Sequence, residues 1–265
     1  MNFAHGRFRL PFSLVVYLLW AAITIPGGIW LSGGQKQSLI EGLSRGPLWN
    51  VVAAFFFLVA VILVTGWRDL RFEVPKPMSS LRIMWLPGLY ILMFLGLAAV
   101  IGLPPLHLML MILLSTVFVG LSEETMFRGI LFQALRTRVK LWPAMIWTSV
   151  LFGSVHILNA LTTGELLNAM LQAFTATLSG FAFMAILVRT GSIWPAIIYH
   201  ALWDFGTFSI SASNQLGVEV PGGDVGDWAF LLPVVLVLPH FFYGVYLLRN
   251  VRNDDVLSPE WLCDH

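Results

Sequence analysis

Two carboxylates and a guanidinium, Glu123, Glu124 and Arg128, sit in a segment that is otherwise almost wholly apolar from Leu108 to Phe132. In hydrocarbon each charged side chain costs roughly 2.5–3.5 kcal/mol even on a lenient insertion scale. Left unpaired, the three together would cost on the order of 8 kcal/mol or more. A chain that keeps such groups is using them. Helical spacing divides the set: Glu124 and Arg128 are i,i+4 neighbours on one face, and Glu123 points about 100° away from Glu124. The economical arrangement pairs Arg128 with Glu124 as a structural brace and leaves Glu123 as the working acid.

Three further ionisable residues lie deep in apolar segments: His156, His200 and Asp204. Glu123 is 13 residues from Arg136, which on a helix is about 20 Å. His156 is 14 residues from Trp142, about 21 Å. His200 and Asp204 are 11 and 15 residues from Arg189, about 16 and 22 Å. Four groups on three helices therefore share one layer, near the midplane and slightly to its outer side. His200 and Asp204 are i,i+4 and face one cavity. Phe152 shares a face with His156, so its ring is expected to pack beside the imidazole.

Such a set suits the activation of water. A carboxylate between two imidazoles in a low-dielectric pocket can act as a general base. The same donors, Glu123 with His156 and His200, can also form a zinc-hydrolase type of shell with one open position. A serine nucleophile is not indicated, because Ser154 is two residues from His156 and lies on another helix face.

Elements able to position these groups follow from the hydropathy pattern. Of the 265 residues 58% are hydrophobic and 11% charged, with mean hydropathy +0.82. A soluble domain carries about 25% charged residues, so this composition indicates an integral membrane protein. The net charge is +1, and no basic run or aromatic–basic interleaving points to a nucleic-acid partner, so none is expected. The single cysteine, Cys263, excludes a disulfide framework and a cysteine-built metal site. It is followed by two residues, so it is not a prenylation box.

Eight spans are expected. Pro11–Leu31 is too long for a signal peptide and lacks its cleavage site, so it is the first span. Leu48–Gly66, Met84–Leu103, His107–Leu135, Trp142–Leu161, Leu166–Val188, Ile193–Ser211 and Trp228–Leu248 follow. Ser32–Pro47 and Asn214–Asp227 are expected as loops, the latter carrying Glu219, Asp224 and Asp227 as solvated acids. If the N-terminus is cytoplasmic, twelve of the fifteen Lys and Arg fall inside, only Lys36 and Arg45 fall outside, and Arg128 is intramembrane. That asymmetry fits the positive-inside rule and places both termini in the cytoplasm. It also puts the ionisable layer in the outer half, which favours exported substrates over cytosolic prenylated ones. The chain reads as one membrane domain, 1–265, and its compact loops suggest a prokaryotic inner-membrane protein. Ser149-x-x-x-Gly153 is expected to pack within the chain, and no oligomeric state can be read.

Glu123-Glu124-x-x-x-Arg128, Phe152-x-x-x-His156 and His200-x-x-x-Asp204, in this order and spacing, resemble the three motifs of the CAAX protease and bacteriocin-processing (CPBP, Abi) family of intramembrane endopeptidases. Phe127-Arg128-Gly129 and Gly191-Ser192-Ile193-Trp194-Pro195-Ala196 add to the likeness, which covers 108–208. The resemblance implies an all-α membrane protease with an interior conical cavity. It implies that Glu123 activates water with help from His156, and that His200 and the residue at 204 stabilise the oxyanion or, in a zinc reading, bind metal. Many members carry Asn where this chain has Asp204; a carboxylate there can donate only if protonated and otherwise orients His200. The expectation is no obligatory cofactor, with Zn2+ held by Glu123, His156 and His200 as the alternative.

The implied partners are the lipid bilayer and a membrane-associated substrate: a prenylated C-terminal tail, a bacteriocin-like leader or a sorting helix. Two other classes compete, a non-catalytic peptide-binding or immunity protein of the same fold and a proton-coupled transporter. Intact Glu123, His156 and His200 argue against the first, and the lack of inverted repeats against the second. His240, which follows Pro239 and has no motif, reads as structural.

Overall fold

A computed structural model describes residue 6 and residues 8–36, 39–215 and 230–253. Cys263, Glu219, Asp224, Asp227 and Trp228 lie outside the described residues. The described chain is helical throughout, with no strand among those residues. In order it runs α1 (Arg9–Leu31), α2 (Leu39–Arg45), α3 (Trp49–Thr65), α4 (Trp85–Ile101), α5 (Leu106–Glu124), a π-helical segment (Thr125–Leu131), α6 (Phe132–Arg136), α7 (Leu141–Val155), a 3-10 turn (His156–Asn159), α8 (Ala160–Thr163), α9 (Leu166–Thr190), α10 (Trp194–Gln215) and α11 (Leu232–Leu248).

Among the described residues five helical stretches are long and apolar enough to cross a membrane: Arg9–Leu31, Met78–Ile101, Leu106–Arg136, Leu141–Thr163 and Leu166–Thr190. Trp49–Thr65 and Leu232–Leu248 are shorter apolar helices. Helix α10 is long, but His200, Asp204 and a run of hydroxyl residues toward its C-terminus dilute its apolar character.

Three local features depart from simple spans. The stretch expected as a loop between the first two spans contains α2, a seven-residue helix. So short a helix is unstable alone; it is held because Ile40 and Leu43 are buried against Leu108, Ile112 and Ala212. The fourth expected span is continuous from Leu106 to Arg136, but its hydrogen bonding widens to a π-helix directly after Glu124. Such segments cluster at functional sites. The fifth narrows to a 3-10 turn beginning at His156, where the imidazole takes up the Phe152 carbonyl with its Nδ1 at 2.8 Å.

Packing brings α5 and α10 into close contact at Gly120, and Ser149 and Gly153 of α7 face α9. The largest core cluster joins α1, α3, the π segment, α7, α9 and α10, with Trp20, Phe127, Ile130, Phe152 and Phe183 at its centre.

The two ends of the bundle are knit by different segments. At one, Arg9 makes a bidentate pair with Asp69 at 2.7 and 2.8 Å. There the Arg71 carbonyl accepts from Ile193 N at 2.8 Å, and Trp142 Nε1 donates to the Val251 carbonyl at 2.9 Å. At the other, Leu48 N donates to Ser115 Oγ at 3.2 Å, α2 packs on the start of α5, and Lys36 lies beside Gly164.

A methyl group at residue 120 would sit 2.8 Å from the Ile197 carbonyl oxygen and 3.2 Å from Ala201 N. Gly120→Ala is expected to cost about 1–3 kcal/mol through overpacking, read as a lowered unfolding midpoint in detergent. Gly96→Ala, whose added carbon meets nothing within 4 Å, is expected to leave the midpoint unchanged.

Candidate active site

The site is built on the last turn of α5, the α7 end and the middle of α10. Glu124 and Arg128 are fully buried and form an ion pair, Arg128 Nη1 to Glu124 Oε1, at 3.1 Å. Arg128 Nη2 donates to the Gly180 carbonyl of α9 at 2.9 Å. The guanidinium carbon lies 4.3 Å from the centroid of Phe152 and 5.3 Å from that of Phe183. Cation–π contact of this kind is strengthened where water is excluded.

Glu124 does more than brace Arg128. Its Oε1 also meets His200 Nδ1 at 2.9 Å, so one carboxylate oxygen joins the guanidinium to the imidazole. A carboxylate paired with arginine accepts, so Nδ1 carries the proton and donates. That directs His200 Nε2 at the other two acids: Glu123 Oε2 at 3.8 Å and Asp204 Oδ2 at 3.5 Å. Neither distance is a full hydrogen bond, and Glu123 Oε2 has no hydrogen-bond partner in the protein.

His156 is fixed by its own helix. A carbonyl oxygen can only accept, so His156 Nδ1 donates to Phe152 O, and in the neutral ring Nε2 keeps its lone pair. Phe152 packs edge-on against His156 at 5.2 Å and against His200 at 5.9 Å. Phe183 stacks on His200 at 4.9 Å with 24° between planes.

Glu123, His156, His200 and Asp204 line one cavity of about 520 Å³. Glu124 and Arg128 lie behind its floor, and His240 is buried elsewhere, among Tyr90, Phe183, Tyr199 and Trp203. Among the described residues no group of three His, Cys, Asp or Glu side chains is arranged to hold a metal ion. The donors as placed therefore do not form a ready zinc shell.

Two residues in contact with this set carry no motif. Trp20 of α1 donates Nε1 to Ser122 Oγ at 2.8 Å, beside Glu123, and lines the cavity. A tryptophan in the middle of a span cannot belong to an interfacial belt and needs an N–H partner; that was the available signal. Phe183, one of many phenylalanines in apolar segments, offered none.

With this geometry in hand, comparison with known proteins is specific. Residues 105–206 match the Rce1-like family, described as type II CAAX prenyl endopeptidases. The chain is also 28% identical to a Bacillus subtilis (strain 168) protein described as "Putative membrane peptidase YdiL", an alignment covering 73% of this chain and 83% of the relative. No solved structure matches. The Rce1-like match spans the stretch from the start of α5 to the middle of α10, which includes Glu123, His156, His200 and Asp204. It implies membrane protease activity in general, and the name of the Bacillus relative points the same way.

Replacing Arg128 alone would leave Glu124 as a buried carboxylate without its cation. Arg128→Met is expected to cost about 3–5 kcal/mol, read in the unfolding midpoint. The double variant Glu124→Gln with Arg128→Met is expected to recover part of that loss, because no unpaired charge remains.

Proposed function

We propose that the protein is an eight-span membrane endopeptidase, with both termini cytoplasmic, that hydrolyses a peptide bond in a membrane-associated protein or peptide. The observation that carries the reading is the convergence of Glu123, His156, His200 and Asp204 from three helices on one cavity floor. His200 Nε2 lies between the two free acids there. The eight spans comprise the five long apolar helices, the two shorter ones and α10. The distribution of Lys and Arg supports the orientation.

In the proposed reaction a water lies against Glu123. Glu123 takes its proton as the oxygen attacks the scissile carbonyl carbon. His156 Nε2, the acceptor left by the Phe152 bond, holds the water's second hydrogen. The carbonyl oxygen becomes an oxyanion. As an imidazolium His200 donates at both nitrogens, Nδ1 to Glu124 and Nε2 to that oxyanion. Asp204 orients Nε2 from the adjacent turn. The proton held by Glu123 then passes to the leaving amine nitrogen as the carbon–nitrogen bond breaks, which returns Glu123 to its starting form.

No step is routed through a metal. Three carboxylates, two imidazoles and one guanidinium supply the base, the donors and the counter-charges.

The test is cleavage of a fluorogenic membrane peptide by purified protein. Glu123→Gln is expected to cut turnover roughly 10²–10⁴-fold with an unchanged unfolding midpoint. Full activity in Glu123→Gln would overturn the mechanism. Activity is expected to survive a chelator; loss restored by zinc would transfer Glu123, His156 and His200 to metal binding.

A further inference from the structure

The cavity opens toward an identifiable end of the bundle. From Glu123 and His200 its lining runs outward to Gln35, Arg45, Asn50, Thr163 and Gln172. These residues belong to the α1–α3 connection, the start of α3, the end of α8 and the first turns of α9. This is the end where Leu48 meets Ser115 and Lys36 lies beside Gly164.

The opposite end holds the basic segments. Arg9 and Asp69, Arg71 and Ile193, and Trp142 and Val251 tie the N-terminal, 67–82, 140s, 190s and 250s segments into one face. Among the described residues eleven of the fourteen Lys and Arg lie in or beside those segments. The mouth end carries Lys36 and Arg45. Short basic segments stay on the cytoplasmic side of a membrane, so the mouth faces outward.

Depth and lining then describe what enters. Glu123 is eight residues along α5 from Ser115, the buried hydroxyl that accepts from the cavity-lining Leu48 N, about 12 Å of helix. An extended strand covers that distance with about four residues. Asn50, Asn159, Thr163 and Gln172 line the passage with side-chain amides and a hydroxyl, Asn50 Nδ2 donating to the Thr24 carbonyl at 2.7 Å and Asn159 Nδ2 to Gln172 Oε1 at 2.9 Å. Such groups pair with peptide N–H and C=O groups whatever the sequence.

We propose that this protease takes its substrate from the extracytoplasmic side, as a single extended strand gripped through its backbone. The substrate class is the outer flank of a membrane-anchored protein, or a secreted peptide, and not a cytosolic tail. This rests on the endopeptidase reading above.

The experiment uses two model substrates, each one apolar helix with a dye–quencher pair on one flank. In one the pair lies on the extracytoplasmic flank, in the other on the cytoplasmic flank. Each is co-expressed with the full chain and cleavage is followed in intact membranes and after detergent solubilisation. In parallel, Thr163→Cys and Thr137→Cys are made in a Cys263→Ser background and treated with a membrane-impermeant maleimide on sealed right-side-out vesicles.

Both substrates are expected to be cleaved in detergent, and only the outer-flank substrate in intact membranes, with at least a tenfold difference. Thr163→Cys is expected to label at once and Thr137→Cys only after permeabilisation. Cleavage in detergent, together with intact-membrane cleavage confined to the cytoplasmic flank or with the reverse labelling, overturns the inference and leaves the endopeptidase reading standing. Absence of cleavage of either substrate in detergent overturns both.

Discussion

One carboxylate oxygen holds the centre of this molecule. Glu124 Oε1 receives Arg128 Nη1 at 3.1 Å and His200 Nδ1 at 2.9 Å, with no access to solvent. Through Arg128 the same oxygen is linked to the main chain of α9, and through His200 to α10. Burying an unpartnered carboxylate would be prohibitive, whereas a buried carboxylate with two charge-assisted donors is tolerable and geometrically exacting. Specificity of geometry is what a hydrolytic site needs. The brace sets which imidazole nitrogen faces the cavity and therefore where Glu123 and Asp204 find it.

The aromatic residues explain why the brace does not drift. Phe152 and Phe183 cover Arg128 and contact His200 from two directions. On the far side of α10, Trp203 packs against Tyr90 and Phe94 of α4 and His240 of α11. Helices α4 and α11 lie outside the stretch that matches the Rce1-like family. They wedge the helix that carries His200 and Asp204 without entering the cavity.

Much of this was legible from residue types and spacing. Charged groups in apolar segments are costly enough to announce themselves, and an i,i+4 spacing within one helix fixes a neighbour relation before any fold is known. That is why Glu124 and Arg128 could be paired in advance, and why Phe152 could be placed beside His156. The Glu124–His200 bond could not be read, because it depends on how α5 and α10 are rotated against each other. Nor could the π-helical widening after Glu124, which changes hydrogen-bond register without a composition signal. Helix α2 gives no sequence signal because its stability comes from Ile40 and Leu43 docking on α5 and α10, not from propensity. The count of Lys and Arg gave the bundle two chemically different ends; only coordinates could say toward which of them the cavity opens.

Arg128 reaches α9 through the Gly180 carbonyl, not through a side chain. A Cβ at that position would lie 2.9 Å from Phe152 Cδ1 and 3.1 Å from Arg128 Nη2. Helix α9 thus contributes to the brace by what it lacks at one position and by a backbone group that every residue possesses. The Phe183 ring, one turn further along α9, is its side-chain contribution to holding the guanidinium. Any side chain at position 180 would have to displace the Phe152 ring or the guanidinium, so the anchoring of the arginine requires that position to stay bare.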